Sequence, residues 1–209
     1  MYLKRKSMPK SWPLPKKGTK YVIKSSGKTI PLLIIIRDIL GIVKSKKEGR
    51  VLLNDSEIFV DGKARKEINY PAGIFSVISI PKIKKFYRVD LMKNKFALNE
   101  IKDNDANLKL CKIMGKTMLK GNKQQINLND GKNLISKEKV RVNDSLIINL
   151  KDNKILKYLP LEKGANVYIV GGKNMGSKGK IVGMNGNISV KTDEKIISTL
   201  SRNIFVVEK

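Results

Sequence analysis

The stretch VYIVGGKNMGSKGKIVGM, residues 167–184, joins two apolar runs through a cluster of glycines and lysines. Glycine beside lysine suits three kinds of chemistry: a phosphate cradle for a nucleotide, a bare hairpin turn, or a loop that grips a nucleic-acid backbone. A nucleoside-triphosphate loop requires G-x-x-x-x-G-K-[ST] running into a helix, so that helix amides and the lysine hold the phosphates together. Gly171 and Gly176 have the outer spacing, but Ser177 stands where the lysine is needed. The dinucleotide pattern G-x-G-x-x-G fails too, because position 174 is Asn. The next segment is short, broken by Gly183 and turned at Asn185-Gly186, while ISVKT and NIFVVEK beyond it have strand composition. The glycines therefore sit between strands.

Other chemistry finds little support. With no histidine, a Ser-His-Asp triad is impossible and the usual imidazole base or ligand is missing. The single cysteine, Cys111, excludes an intrachain disulfide and any multi-cysteine zinc site. It alternates with Leu108, Leu110 and Ile113, which suits a buried or half-buried strand residue better than a reactive thiol. The pairs Asp103/Asp105 and Asp193/Glu194 lie in polar surroundings and are expected as solvated turns. No catalytic residue, no metal and no cofactor is expected.

The charge balance points elsewhere. Lys and Arg number 44 against 18 Asp and Glu, a formal charge of +26 over 209 residues. Such self-repulsion calls for a counter-charged environment, of which nucleic acid is the first source and an anionic membrane the second. The longest apolar run, residues 32–36, is far short of the roughly 20 residues of a membrane span, and no cleavable signal pattern opens the sequence, so a soluble intracellular protein is expected. A hydrophobic fraction of 41% is enough for packed cores.

Periodicity and punctuation outline the scaffold that carries these charges. Residues 1–31 are expected as a basic, extended N-terminal arm: the first 37 residues contain no Asp or Glu, and Pro9, Pro13 and Pro15 break any helix. Trp12 among the cations suggests an aromatic that stacks on a base, in an arm that orders on its partner. Residues 32–81 form a small module. Leu32, Leu33, Ile36, Ile39, Leu40 and Val43 share one helical face. Ser45 and Glu48 have capping-box spacing for a second helix over about 46–53. A strand then ends in the hairpin signal Asp61-Gly62, and IFSVISIP closes the unit. Residues 82–161 are expected as a central β-rich domain of short apolar stretches separated by turns.

Residues 162–209 match the KOW motif: Gly164, Val167 and Ile169 open it, and Gly172, Lys173, Asn174, Gly176, Gly179 and Ile181 complete it. That implies a small SH3-like barrel whose loop presents Lys173, Asn174, Lys178 and Lys180 to RNA or to a protein neighbour.

The whole sequence resembles the small-subunit ribosomal protein four family of archaea and eukaryotes. The resemblance runs in order through YLKRKSMPKSWPLPKK, IPLLIIIRDILG, VDGKARKEINYPAGIFSVISIP, LKLCKIMGKTMLKG, NLNDGKN, PLEKGA and VGGKNMG. It implies an α+β, mainly β architecture with a two-helix S-four-type RNA-binding module at 32–81 and the KOW barrel at the C-terminus. It further implies a structural, non-enzymatic constituent of the small ribosomal subunit in the cytoplasm, one copy per subunit, with rRNA and neighbouring ribosomal proteins as partners and no membrane. RNA contacts are then expected from Lys4, Arg5, Lys6, Lys10, Trp12, Lys16 and Lys17 on the arm, and from Arg37, Lys44, Lys46, Lys47, Arg50, Lys63 and Arg65 on the module. The sequence departs from the family pattern where Gly49 sits inside the second helix, expected to weaken it by roughly 0.5 to 1 kcal/mol. It departs again where Ser56-Glu57 replace a glycine and lysine. The competing readings are an RNA-modifying enzyme, or a free-standing RNA-binding regulator, built on the same modules.

Overall fold

The computed structural model describes residues 2–25, 28–121, 123–136, 139–192 and 195–208, without the side chain of Asn185. Asp193 and Glu194 lie outside the described residues. The chain is mainly β and divides into two compact units, Met1–Asn107 and Leu108–Lys209.

The first unit begins with a two-stranded antiparallel ribbon, Tyr2–Lys4 against Tyr21–Ile23. The loop it encloses is folded, so the arm is not extended. Arg5 donates from Nε to Thr19 O at 2.7 Å, from Nη1 to Pro15 O at 2.7 Å and from Nη2 to Thr19 Oγ1 at 2.9 Å. Trp12 is 2% exposed, and its Nε1 donates to Thr29 O at 3.0 Å. The arm already orders on its own unit.

Helix α1 starts as Leu32–Ile34 and continues as a π-helical turn, Ile35–Ile39. Its first backbone donors, Leu32 N and Leu33 N, are satisfied by Tyr70 O and Ile68 O, as helix starts require. All five residues from Leu32 to Ile36 are buried. The single face drawn from periodicity is thus too narrow, because Ile34 and Ile35 are covered as well. Helix α2, Lys46–Asn54, carries the expected capping box: Ser45 Oγ accepts from Glu48 N at 3.2 Å, and the Glu48 carboxylate accepts from Lys44 N and Ser45 Oγ. The backbone N–H of Lys44 and the Ser45 hydroxyl hold the Glu48 carboxyl below its ordinary value.

Gly49 has a packing consequence besides its expected cost to the helix. A Cβ there would lie 2.7 Å from Leu33 Cδ1 and 3.5 Å from Ile36 Cδ1. The glycine costs helix propensity, and in return Leu33 of α1 packs directly against it. At the departure at 56–57, Ser56 itself adopts the left-handed conformation, φ 56°, that favours glycine, so the serine stands there under strain.

A five-stranded antiparallel sheet completes the unit, in the order Lys63–Ala64, Phe59–Val60, Val77–Ile80, Lys85–Met92 and Lys95–Ile101. The Asp61-Gly62 turn has φ 53° and 76°, as a tight hairpin demands. The buried Asp61 carboxylate accepts from Val77 N at 3.0 Å. The boundary expected at 81/82 falls inside this sheet, because Val77–Ile80 pairs directly with Lys85–Met92.

The second unit holds two five-stranded antiparallel sheets. One has the order Asn133–Ser136, Lys123–Leu128, Leu108–Leu119, Ser145–Asn149, Ile155–Leu159; the other Ile196–Thr199, Asn187–Lys191, Lys178–Asn185, Asn166–Ile169, Ile204–Val206. The first half of strand Leu108–Leu119, residues 108–113, is covered on both faces, and its far end is exposed. Cys111 and Ile113 pack with Ile126, Leu146 and Ile148, while Leu110 packs against the cluster of Val167, Ile181 and Ile204. Cys111 is fully buried, as expected, but Leu108 and Leu110 lie on the face opposite to it.

Two lysines of this strand are interior. Lys109 is 1% exposed and pairs with Asp130 at 3.0 Å. Burial alone would raise the Asp130 carboxyl, but Lys109 and the Lys132 N–H outweigh it and hold it below its ordinary value. Lys112 Nζ donates to Ser201 O at 2.5 Å and to Ile204 O at 2.8 Å, anchoring the entry to the last strand. Burial pushes its ammonium down to about 8, against an opposing pull from Asp144.

Candidate nucleic-acid interface

The sequence-predicted cations separate into two groups once placed. On the arm, Lys4, Lys6, Lys10, Lys16 and Lys17 are exposed. Arg5 and Trp12 are not available in the same way. The three Arg5 nitrogens serve the enclosed loop, and Gly18 leaves the space for them: a Cβ at that position would lie 3.1 Å from Arg5 Cζ. Trp12, expected as the stacking aromatic, is in the core because its indole N–H found a backbone acceptor there.

Around the helices, Lys44, Lys47, Arg50 and Lys63 are exposed. Arg37 is ion-paired with its neighbour Asp38 at 2.8 Å, and the Arg65 guanidinium lies 4.4 Å from the Tyr70 ring centroid. Lys46 Nζ donates to Tyr2 Oη. Glu57, which replaces a cation of the family pattern, is neutralised by an ion pair with Lys82.

In the second unit the glycine-rich hairpin joins Asn166–Ile169 to Lys178–Asn185. Gly172 and Gly176 have φ 89° and 88°, a conformation that other residues adopt only under strain. Gly176 N donates to Ile169 O at 2.8 Å and Ile169 N to Ser177 O at 3.0 Å, closing the loop on backbone alone. At Gly179 a Cβ would stand 2.4 Å from Lys191 O, so only glycine permits the close approach of the two strands. Lys173, Lys178 and Lys180 are exposed and Asn174 is half-buried.

Sequence reasoning missed Lys191, which pairs directly across from Lys180. Both are exposed, and facing like charges on a sheet repel, so this spot favours an anion. The Asn185-Gly186 turn could not announce this pairing, because the register shifts by one between Ile181 and Gly183; without that bulge Lys180 would face Thr192. Among the described residues, no three Cys, Asp or Glu side chains come together to hold a metal ion. No helix there is long and apolar enough to cross a membrane.

The comparisons with known proteins decide the family. The chain is 38% identical to the small ribosomal subunit protein eS4 of Methanosphaera stadtmanae, over 99% of this chain and 91% of that protein. The chain belongs to the S4e family of ribosomal proteins. The family model, described as Ribosomal family S4e, matches residues 74–155. The eS4 protein of Archaeoglobus fulgidus is 35% identical over the whole of this chain and 94% of its own. Among solved structures, the 30S ribosomal protein S4e from Thermoplasma acidophilum matches with a TM-score of 0.76 and 26% identity, covering 88% of this chain and 97% of that one. The S4e likeness therefore spans both compact units, not a single shared module.

Proposed function

We propose that the chain is a structural constituent of the small ribosomal subunit that binds rRNA and supports assembly of the subunit and translation. The observation that carries this reading is the two-way coverage with the eS4 relatives, 99% of this chain and 91% of the first. A module shared with an enzyme or a regulator would align over only part of each chain. The charge of +26 supplies the physics. Exposed lysines displace condensed counterions from phosphates, giving affinity with little base preference, while the folded units set position.

Within this reading, residues 32–81 act as an S-four-type RNA-binding module, supported by the two packed helices and the Asp61-Gly62 hairpin. Residues 162–209 act as a KOW barrel of SH3-like form, supported by five antiparallel strands and a short 3-10 turn, Ser201–Asn203, before the last. RNA contacts come from the exposed arm lysines, from the cations of the helices and hairpin, and from the loop carrying Lys173, Asn174, Lys178 and Lys180. The partners are small-subunit rRNA and adjoining ribosomal proteins in the cytoplasm, with one copy per subunit, no cofactor and no catalytic step.

Sucrose-gradient sedimentation tests the assignment. The protein should migrate with small subunits at low salt and be stripped at high salt. Endogenous protein that stays in light fractions at low salt, while small subunits sediment without it, overturns the reading.

A further inference from the structure

With Trp12 buried, the N-terminal ribbon still shows two aromatic side chains to solvent. Tyr2 is 52% exposed and Tyr21 is 51% exposed. The register of the ribbon pairs Tyr2 with Ile23 and Lys4 with Tyr21. Because residues two apart on a strand share a face, as do cross-strand partners, both tyrosines and Lys4 project to the same side. A cleft beside them is lined by Tyr2, Tyr21, Arg37 and Lys46 together with Leu33 and Ile34 of α1.

Each ring keeps about half its surface open beside a lysine ammonium. Lys46 Nζ donates to the Tyr2 hydroxyl and is 4.8 Å from the ring centroid. That hydrogen bond holds the Tyr2 phenol below its ordinary value. Lys20 Nζ is 5.6 Å from the Tyr21 centroid, and Asp38, next to the cleft residue Arg37, is engaged by it. Ring faces flanked by ammonium groups match the two parts of a single-stranded nucleotide, base and phosphate, and do not match duplex RNA, whose bases are already stacked.

We propose that Tyr2 and Tyr21 form a stacking platform for unpaired RNA bases, with Lys4, Lys20 and Lys46 on the adjoining phosphates. This rests on the rRNA-binding reading and deepens it, since it gives the first unit a preference for single-stranded segments that a surface of lysines alone lacks.

The test compares binding of a short single-stranded RNA carrying 2-aminopurine with binding of a hairpin duplex of equal charge, using the full chain. Tyr2→Leu with Tyr21→Leu keeps net charge and apolar bulk but removes the rings. It should weaken single-strand binding about tenfold or more and leave the salt slope and duplex binding unchanged within about twofold. Tyr2→Phe with Tyr21→Trp should retain wild-type affinity and 2-aminopurine quenching, which separates stacking from ribbon stability. Unchanged single-strand affinity in the leucine variant, or equal loss for both RNAs, overturns the platform. The outcome is distinguishable from failure of the ribosomal reading: a platform that fails in a protein that still co-sediments with small subunits leaves that reading intact. Single-strand binding in a protein absent from subunits sinks the ribosomal reading alone.

Discussion

The N-terminal ribbon and the hairpin at 166–185 are both short, basic and turn-rich, yet they are held by different means. The hairpin is closed by backbone hydrogen bonds at Ile169, Gly176 and Ser177, and its lysines are left outside. The ribbon's loop has a backbone bond at its base, Arg5 N to Lys20 O at 3.0 Å, but is held beyond it by side chains, the Arg5 guanidinium on Pro15 and Thr19 and the Trp12 indole on Thr29. A loop fastened by its backbone leaves every cation for a partner, whereas one fastened by side chains consumes some of them. Similar segments thus yield a cationic tip in one place and, in the other, a sorted surface in which lysine and tyrosine face out while Arg5 folds onto its own loop and Trp12 is buried.

The largest expected effect tests the backbone-closed side. Gly179→Ala places a Cβ 2.4 Å from a backbone oxygen that cannot swing away, so the second unit should lose about 3 kcal/mol, read from the urea midpoint. Gly49→Ala is the contrast: its Cβ meets the mobile end of Leu33 at 2.7 Å, and recovered helix propensity offsets the crowding to within about 1 kcal/mol. Equal losses at the two glycines would break the distinction.

Lys112 gives a pH signature to the C-terminal sheet. Its folded pKa is about 8 against an ordinary 10.5. Between those values the folded state has released a proton that the unfolded chain still holds, so unfolding takes up a proton and stability rises with pH. Below pH 8 the cost of burying the ammonium applies in full. The stability difference between wild type and Lys112→Met should therefore climb in favour of wild type from pH 8 to 10.5, by at most about 1.4 kcal/mol per pH unit. Denaturant titrations across that range check it, and a flat difference would mean that the Lys112 ammonium is solvated.

On the side-chain-closed region, Arg5→Ala should cost about 1 to 2 kcal/mol, seen as faster amide exchange confined to residues 5–20. Arg5→Lys should not restore protection, because one ammonium cannot span three acceptors. The smallest effect is at the cationic end of the hairpin. Lys180→Gln with Lys191→Gln should raise stability by a few tenths of a kcal/mol by relieving cross-strand repulsion, while lowering the salt slope of rRNA binding by about 0.7 for each phosphate no longer neutralised. Opposite signs for folding and binding would mark these lysines as kept for an anion.

Much of this fold is legible locally. The β-rich character of 82–161, the Ser45 capping box and the Asp61-Gly62 turn lie where turn punctuation, capping spacing and turn chemistry put them, because each depends on residues close in the chain. The segment Leu32–Ile36 shows the limit: periodicity assigned it one buried face, but neighbours cover it all round. Likewise nothing adjacent to Pro81 announces that Val77–Ile80 would pair onward with Lys85–Met92.

The family, the mainly β character, the excess of positive charge and the glycine positions that fix the 167–184 hairpin are all properties of the sequence alone, because they depend on composition, spacing and backbone stereochemistry. Which polar and aromatic side chains face inward was settled only by tertiary packing. Trp12, Lys109 and Lys112 turn in because carbonyls or a carboxylate wait there, some near in the chain and others far along it. Burying a polar group is tolerated only where its partner has been brought to meet it, and that meeting is a property of the packed chain.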